Sequence, residues 1–253
     1  MARLRAAILA AGRGVRMGGR SSKSLIPVGS EQPLLHYILE GLKRSGVEDL
    51  LVVTGFAAKE VQEFVGSNWT GEPTFLFNAR WASWGNFHTV RMALDQSPGF
   101  DVLVVNSDVV VPPDVYARTA STGGDLVLAV QRRANLDDED MRVEVHGDEV
   151  RQIGKKISMA RSHGEYAGVS LIRPTAARTY LDIATDLEWR AETHGYYEDI
   201  YAQMIGKVDT RATFVRGDEY AEVDSPEDVP HAADVIARHR DAWEQPAGQE
   251  QPA

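Results

Sequence analysis

A glycine-rich stretch near the start of the chain carries two basic residues at a fixed spacing. The apolar run at residues 6–11 leads directly into Gly12 and Gly14, and Arg16 and Lys23 follow. Glycine lets backbone N–H groups approach phosphate oxygens closely, because no Cβ stands in the way. Cations beside such a loop would neutralise the charge that develops on the β- and γ-phosphates as pyrophosphate departs. The stretch therefore predicts a loop that binds a triphosphate and stabilises its cleavage.

Other glycine-rich loops match this stretch less well. Gly12, Gly14 and Gly18 have the spacing Gly-x-Gly-x-x-x-Gly, which is one residue longer than the dinucleotide-binding fingerprint. A Walker A loop has glycine directly before its lysine, whereas Ser22 precedes Lys23 here. An ordinary surface turn would account for the glycines but not for the two cations that accompany them.

Two aspartates stand where buried strands are expected to end. Asp108 follows the apolar run 102–106, and Asp224 follows a second short strand-like segment. Ligand-binding residues of open α/β sheets collect at such strand ends. Mg²⁺ takes a few carboxylate oxygens and leaves its other positions to phosphate and water. We therefore expect Asp108 and Asp224 to hold Mg²⁺, although the stretch from Asp224 to Glu227 is also typical of a helix start.

Residues 6–28 resemble the signature of the nucleotidyltransferases that activate sugar phosphates and phosphoalcohols. That signature runs leucine-alanine-alanine-glycine, glycine, arginine, then lysine-x-leucine-x-proline-valine, and one departure of this chain is the segment 18–22 before the lysine. The resemblance implies an α/β fold of the nucleotide-diphospho-sugar transferase type, with a mixed, mainly parallel sheet flanked by helices. It implies that Arg16 and Lys23 are catalytic, that Asp108 and Asp224 bind the metal, and that the nucleotide is bound in part by Leu9, Ala11, Gly12 and Gly14.

A second segment, residues 78–89, resembles the phosphocholine and phosphonoalkyl cytidylyltransferases, and inositol-phosphate cytidylyltransferases share parts of it. The resemblance implies that Asn78, Asn86 and Thr89 bind the nucleotide and that Trp84 faces the acceptor. Thr89 replaces the usual serine and keeps a hydroxyl group. Gly85 stands where relatives often have a polar residue, so the recognition of the base by this segment is left open.

The resemblance to these cytidylyltransferases also implies an acceptor site further along the chain. Either Lys155 or Lys156 would hold the phosphate or phosphonate of the acceptor; Lys155 is assigned to catalysis and Lys156 to acceptor binding, and the choice between the two is left open. Glu165, Gly168 and Tyr197 would join Lys156 and Trp84 in binding the acceptor. An amine or trimethylammonium group could be enclosed by cation–π contacts. The residues considered for that enclosure are Trp84, Trp189, Tyr196, Tyr197 and Glu165.

Together these features predict a nucleotidyltransferase that moves CMP from CTP to a small acceptor and releases pyrophosphate. The acceptor would be of the phosphocholine, aminoalkylphosphonate or polyol phosphate type. The attacking oxygen is already an anion, so no histidine is assigned as a base. The alternatives are a sugar-1-phosphate nucleotidyltransferase using UTP, GTP or dTTP, a metal-dependent glycosyltransferase, and a catalytically silent nucleotide-binding protein.

Composition limits the partners. The 253 residues carry a formal net charge of −10, so an overall attraction for nucleic acid is not expected. The chain contains no cysteine, which is consistent with a reducing compartment, and its apolar runs fall short of the ~20 residues of a membrane helix. We expect a cytoplasmic protein without membrane contact, and a homodimer is left open.

The elements that must position these residues alternate along the chain. Short β-rich runs and amphipathic stretches follow one another in the first half, which is typical of βαβ units around a parallel sheet. Residues 143–153 alternate about a Gly-Asp turn and indicate a hairpin, so the second half should be mixed. We expect one domain over residues 1–242, with the acceptor-binding elements mainly within 132–210, and a disordered tail over 243–253.

Overall fold

A mixed nine-stranded sheet forms the centre of the molecule in the computed structural model, which describes residues 3–14, 22–29, 32–133 and 135–244. Arg16 and residues 245–253 of the expected tail lie outside the described residues. The strands are β1 (Leu4–Ala10), β2 (Pro27–Val28), β3 (Gln32–Pro33), β4 (Asp49–Thr54), β5 (Thr74–Phe77), β6 (Asp101–Asn106), β7 (Val109–Val110), β8 (Leu126–Gln131), β9 (Arg142–His146), β10 (Glu149–Ile153), β11 (Gly164–Ile172), β12 (Thr210–Val215) and β13 (Ala221–Glu222). The helices are α1 (Leu34–Arg44), α2 (Ala58–Asn68), α3 (Phe87–Asp95), α4 (Pro113–Ser121), α5 (Pro174–Trp189), α6 (Tyr197–Met204), α7 (Val229–Arg238) and α8 (Arg240–Glu244).

The main sheet has the order β5-β4-β1-β6-β11-β8-β12-β10-β9. Strands β5, β4, β1 and β6 run parallel to one another, β11 reverses the direction, and β9 and β10 form the antiparallel hairpin expected at residues 143–153. The sheet is therefore mixed, as predicted, with one parallel block in the first half of the chain and a further parallel pair formed by β8 and β12.

Helices cover both faces of the sheet because each of them has one apolar side. In α1 the buried residues Leu35, Ile38, Leu39 and Leu42 follow the helical spacing and join the core on one face. Helices α3, α5 and α6 pack on the opposite face, where Tyr197 of α6 belongs to a second core cluster. Strand β8 is buried along its whole length, as expected for a strand that is covered on both faces.

The two strand ends that carry the predicted loop and the first aspartate are neighbours. Leu9 of β1 pairs in register with Asn106 of β6, so the glycine stretch and Asp108 leave the sheet side by side. The short strand β13 pairs antiparallel with β7, and the backbone N–H of Val223 donates to the carbonyl oxygen of Asp108 at 2.8 Å. This pairing brings Asp224, which is distant in the chain, to the same edge.

The packed part of the chain reaches beyond residue 242. Trp243 in α8 is buried, its ring lies edge-on to Tyr37 with centroids 5.7 Å apart, and its indole N–H donates to the carbonyl oxygen of Tyr37 at 3.2 Å. Trp243 therefore packs α8 against α1, although residue 243 falls in the expected tail.

Candidate active site

Lys23, Asp108 and Asp224 meet at the edge of the sheet. The Nζ of Lys23 lies 3.0 Å from Oδ2 of Asp108 and also forms an ion pair with Asp224. Burial lowers the pKa of Lys23, but the charges and hydrogen bonds of the two carboxylates raise it by more, so the net change is upward. The lysine is therefore held as a cation between the two aspartates that the sequence indicates as metal ligands.

Gly14 makes the approach of Lys23 possible. Its φ of +59° lies in the left-handed region, and a Cβ at this position would stand 2.8 Å from Cβ of Lys23. A side chain at residue 14 would thus be strained by its backbone and would also push the lysine away. The backbone conformation and the contact with Lys23 therefore explain why residue 14 is glycine, independently of any ligand.

Glu222 is a third carboxylate at the same place, and the sequence did not single it out. Oxygens of Asp108, Glu222 and Asp224 lie within 4.8 Å of one another. Burial, followed by the charges of Asp108 and Asp224, raises the pKa of Glu222 to about 8. The sequence contains one indication of this role. Glu222 and Asp224 are two residues apart, so in an extended segment their side chains lie on the same side.

These three carboxylates fit a hard divalent cation. The Oδ1 of Asp108 is buried and has no hydrogen-bond partner in the described part of the chain. A buried carboxylate oxygen without a partner is costly, and a metal ion would satisfy it. The arrangement supports a divalent metal site.

A cavity of about 190 Å³ lies between the end of β1, the end of β6 and the start of α3; we call it the smaller cavity. Most of the residues predicted to bind the nucleotide line it, together with Lys23 and Asp108. They are Leu9, Ala11, Gly12, Gly14, Asn86 and Thr89. Asn78 lies behind them, where it is buried and its Nδ2 donates to Oγ1 of Thr89 at 3.1 Å.

A second cavity, of about 760 Å³, opens on the other side of Asp108; we call it the larger cavity. Its wall is strongly acidic, and among the described residues its cationic side chains are Arg133 and Lys155. The acidic residues of the wall are Asp108, Asp137, Glu139, Asp140, Glu165, Glu198, Glu222, Asp224 and Asp228. A cavity with this charge favours an occupant that carries a cation.

Glu198 is a buried carboxylate of the larger cavity. Its Oε2 has no hydrogen-bond partner within the ranges that the structure describes. Burial raises its pKa to about 7, against hydrogen bonds from its own backbone N–H and from the side chain of Tyr197, which lower it. The sequence predicts that Tyr197 contacts the acceptor, but it does not predict a role for Glu198 beside it.

The predicted acceptor residues divide into two groups. Lys155, Glu165 and Gly168 line the larger cavity, whereas Lys156 is exposed outside it. The Nζ of Lys155 lies 3.1 Å from Oε2 of Glu139. Oε2 of Glu165 lies 3.0 Å from the guanidinium of Arg133, and burial still raises the pKa of this glutamate to about 7.

Of the side chains considered for an aromatic enclosure, Tyr196 and Glu165 line the larger cavity and the others do not. Trp84 is stacked on Phe87, with the guanidinium of Arg80 3.8 Å from its ring centre. Trp189 is 86% exposed at the end of α5. The ring of Tyr197 is buried in the core, while its polar groups reach the site.

The chain belongs to the family of MobA-like NTP transferase domains, which it matches over residues 6–178. CMP-5'-(3-aminopropyl)phosphonate synthase of Streptomyces rubellomurinus is 30% identical over 213 residues, which are 77% of this chain and 32% of that protein. This chain thus spans about a third of the length of that relative. Choline-phosphate cytidylyltransferase of Streptococcus pneumoniae is 24% identical over 92% of this chain and 98% of its own length.

The solved structures agree with the fold. The inositol-1-phosphate CTP transferase from T. maritima superposes with a TM-score of 0.78 at 18% identity, over 93% of this chain and 97% of that one. The predicted nucleotidyltransferase family and the nucleotide-diphospho-sugar transferase-like fold are confirmed. In the part of the chain that the structure describes, no helix is both long and apolar enough to cross a membrane.

Proposed function

We propose that this protein transfers CMP from CTP to a small acceptor that bears a phosphate or phosphonate group, and releases pyrophosphate. The observation that carries the proposal is the position of Asp108, which lines both cavities and forms an ion pair with Lys23. A triphosphate in the smaller cavity and an acceptor in the larger one would meet beside these two residues.

The chemistry follows from the charges. An oxygen of the acceptor's phosphate or phosphonate attacks the α-phosphorus, and the bond from the α-phosphorus to the bridging oxygen breaks. Pyrophosphate leaves with the electron pair of that bond. Because the acceptor oxygen is already an anion, alignment and charge neutralisation are required rather than a base. Lys23, and Arg16 by the resemblance of the loop, would neutralise the departing pyrophosphate.

We infer that Asp108 and Asp224, with Glu222, hold Mg²⁺. Their three oxygens within 4.8 Å and the unpartnered Oδ1 of Asp108 support a hard divalent cation, and Mg²⁺ is the ion that accompanies triphosphates. When bound, the ion would polarise the phosphoryl oxygens and neutralise part of their charge. The residues of this chain supply its ligands and keep them in place.

The acidic wall of the larger cavity favours an acceptor with an ammonium group next to its phosphate or phosphonate. Glu198 offers a buried oxygen without a partner, and Tyr196 offers an aromatic face, with Nζ of Lys155 6.0 Å from its ring centre. The relatives named above act on an aminoalkylphosphonate and on choline phosphate. A sugar-1-phosphate has no cation to place against this wall, so the sugar-phosphate reaction is the less favoured alternative.

The experiment is a panel of four NTPs against 2-aminoethylphosphonate, 3-aminopropylphosphonate, phosphocholine, inositol phosphate and glucose-1-phosphate, read by pyrophosphate release and by ³¹P NMR of the product. We expect a CMP adduct of an amine-bearing acceptor. Pyrophosphate release with UTP or dTTP and glucose-1-phosphate alone would contradict the proposal. The cytoplasmic location and the homodimer stay predictions.

A further inference from the structure

Two asparagines stand between the two cavities. In the described part of the chain, the smaller and the larger cavity share three lining residues, which are Asn86, Asn106 and Asp108. A phosphoryl group that passes from a nucleotide in one cavity to an acceptor in the other has to pass beside them. Asp108 is used as a metal ligand and Asn86 is expected to bind the nucleotide, but neither carboxamide has a role so far in the transfer of the phosphoryl group.

Tyr197 holds the carbonyl oxygens of both carboxamides. Its backbone N–H donates to Oδ1 of Asn86 at 2.9 Å, and its hydroxyl donates to Oδ1 of Asn106 at 2.9 Å. A backbone N–H can only donate, so the oxygen of Asn86 must face Tyr197 and its NH₂ group must face away. Burial raises the pKa of the Tyr197 phenol well above its ordinary value, so the phenol keeps the proton that it donates.

The NH₂ groups of the two asparagines are left for a ligand. Neither amide nitrogen donates to a protein acceptor within the described ranges, and both residues line open space. The amide of Asn106 lies against Gly168, where a Cβ would stand 3.1 Å from Nδ2 and Cβ of Asn106. Gly168 has a φ of +69°, so this position favours glycine and leaves room for the asparagine.

We propose that Asn86 and Asn106 are catalytic residues that donate N–H hydrogen bonds to the non-bridging oxygens of the transferred α-phosphoryl group, with Tyr197 as the positioning residue for both. The inference rests on the proposed nucleotidyl transfer. Donors that are held in place before the reaction stabilise developing charge without having to reorganise. Amides can donate hydrogen bonds here without adding a charge, whereas a charged side chain would interact with the carboxylates that surround this position.

The first test compares Asn106→Ala and Asn86→Ala with the unaltered protein in kcat, KM and the affinity for CTP measured by calorimetry with Mg²⁺ and no acceptor. We expect kcat to fall about 100- to 1000-fold for each variant, while the Kd for CTP changes much less. Asn106→Asp keeps the acceptor for the Tyr197 hydroxyl but replaces the donor by an anion, so it should be at least as slow while its melting temperature stays near that of the unaltered protein.

The second test is a double-mutant cycle. Tyr197→Phe removes the hydroxyl that holds Asn106 and keeps the N–H that holds Asn86, so it should lower kcat about 3- to 30-fold, the loss expected for one hydrogen bond. In Asn106→Ala the same change should have a much smaller effect, because the contact with Asn106 is then absent and the Tyr197 hydroxyl keeps its contact with the hydroxyl of Tyr166 at 3.3 Å. Tyr201→Phe is the matched control, since its buried hydroxyl contacts Ser170 at 2.8 Å and neither asparagine.

The outcomes separate the two proposals. If the unaltered protein forms no pyrophosphate from any NTP and acceptor, the proposed function fails and this inference fails with it. If the unaltered protein is active and both alanine variants keep kcat within about threefold, or lose CTP affinity in proportion to kcat, the donors are misassigned. Additive effects of Tyr197→Phe and Asn106→Ala would overturn the positioning part.

Discussion

The ammonium nitrogen of Lys23 lies 3.0 Å from Oδ2 of Asp108, and the same nitrogen forms an ion pair with Asp224. One side chain of the phosphate-binding stretch thus neutralises the two aspartates that are proposed to hold the metal. A divalent cation and Lys23 therefore compete for the same carboxylate oxygens, and a bound triphosphate would offer the lysine another partner.

Lys23→Ala should lower kcat by at least about 100-fold, because the departing pyrophosphate loses its cation. In the absence of nucleotide the same variant should bind Mn²⁺ more tightly than the unaltered protein, since the competing ammonium is gone. Calorimetry with Mn²⁺ measures this. Lys43→Ala is the control, because that lysine pairs with Glu40 on α1. Unchanged or weaker Mn²⁺ binding in Lys23→Ala would refute the competition.

Asp108→Asn and Asp224→Asn should each abolish turnover, with a loss of about 1000-fold or more, because a cation bound to three carboxylates loses one of its charged ligands. Circular dichroism should show an intact fold. Glu222→Gln should raise the Mg²⁺ concentration needed for half-maximal rate. Asp186→Asn, which removes only a surface ion pair with Arg190, is the matched control. Normal magnesium dependence in all three site variants would place the metal elsewhere.

Glu198→Gln should discriminate between acceptors that differ only in the amine. The ratio of kcat/KM for 2-aminoethylphosphonate to that for ethylphosphonate should fall about 10- to 100-fold, the effect of one charge-assisted hydrogen bond. The Gln variant keeps the shape and loses the charge. Equal losses for the two acceptors would show that Glu198 supports the fold rather than the ammonium group.

The buried Glu198 also predicts a pH dependence of stability. Its pKa is about 7 in the folded protein, against an ordinary value of 4.5. Between those two values the folded state binds a proton that the unfolded state has lost, so the free energy of unfolding falls as pH rises, by on the order of 3 kcal/mol. Urea titrations at pH 4.5 and pH 8 should show a fall that is smaller by about this amount in Glu198→Gln, where the raised pKa values of Glu165 and Glu222 still contribute. Glu60→Gln, at an exposed position of α2, should show the same pH dependence as the unaltered protein. An equal pH dependence in the unaltered protein and both variants would contradict the role of Glu198.

Gly85 should be intolerant of a side chain. A Cβ there would stand 1.9 Å from the carbonyl oxygen of Gly195, and the Gly85 N–H donates to the carbonyl oxygen of Thr193 at 2.7 Å. Gly85→Ala should therefore destabilise the protein by about 1–3 kcal/mol and disturb the contact of Asn86 with Tyr197. Gly66→Ala, in α2 with open space around its Cβ, should be neutral or stabilising by about 0.5–1 kcal/mol. Denaturant unfolding measures the stability of both variants. Similar midpoints for Gly85→Ala and Gly66→Ala would contradict the close packing at Gly85.

Local patterns in the sequence were enough to predict most elements and part of the site. The apolar run that became β1, the glycines after it and the acid after β6 are each encoded in a few consecutive residues, because strand burial, left-handed backbone and strand-end position depend on neighbours along the chain. The hairpin of β9 and β10 was predictable for the same reason.

Contacts between distant segments were decided only by the tertiary structure. The pairing of β13 with β7 brings Glu222 to Asp108, the packing of α6 places the N–H and the hydroxyl of Tyr197 against Asn86 and Asn106, and the path of the chain after β10 turns Lys155 rather than Lys156 toward the larger cavity. Residue types and spacing along the chain cannot specify such contacts, because each depends on where two separately folded segments come to lie. The sequence determined which chemical groups were available, and the packing of the sheet and helices decided which of them meet.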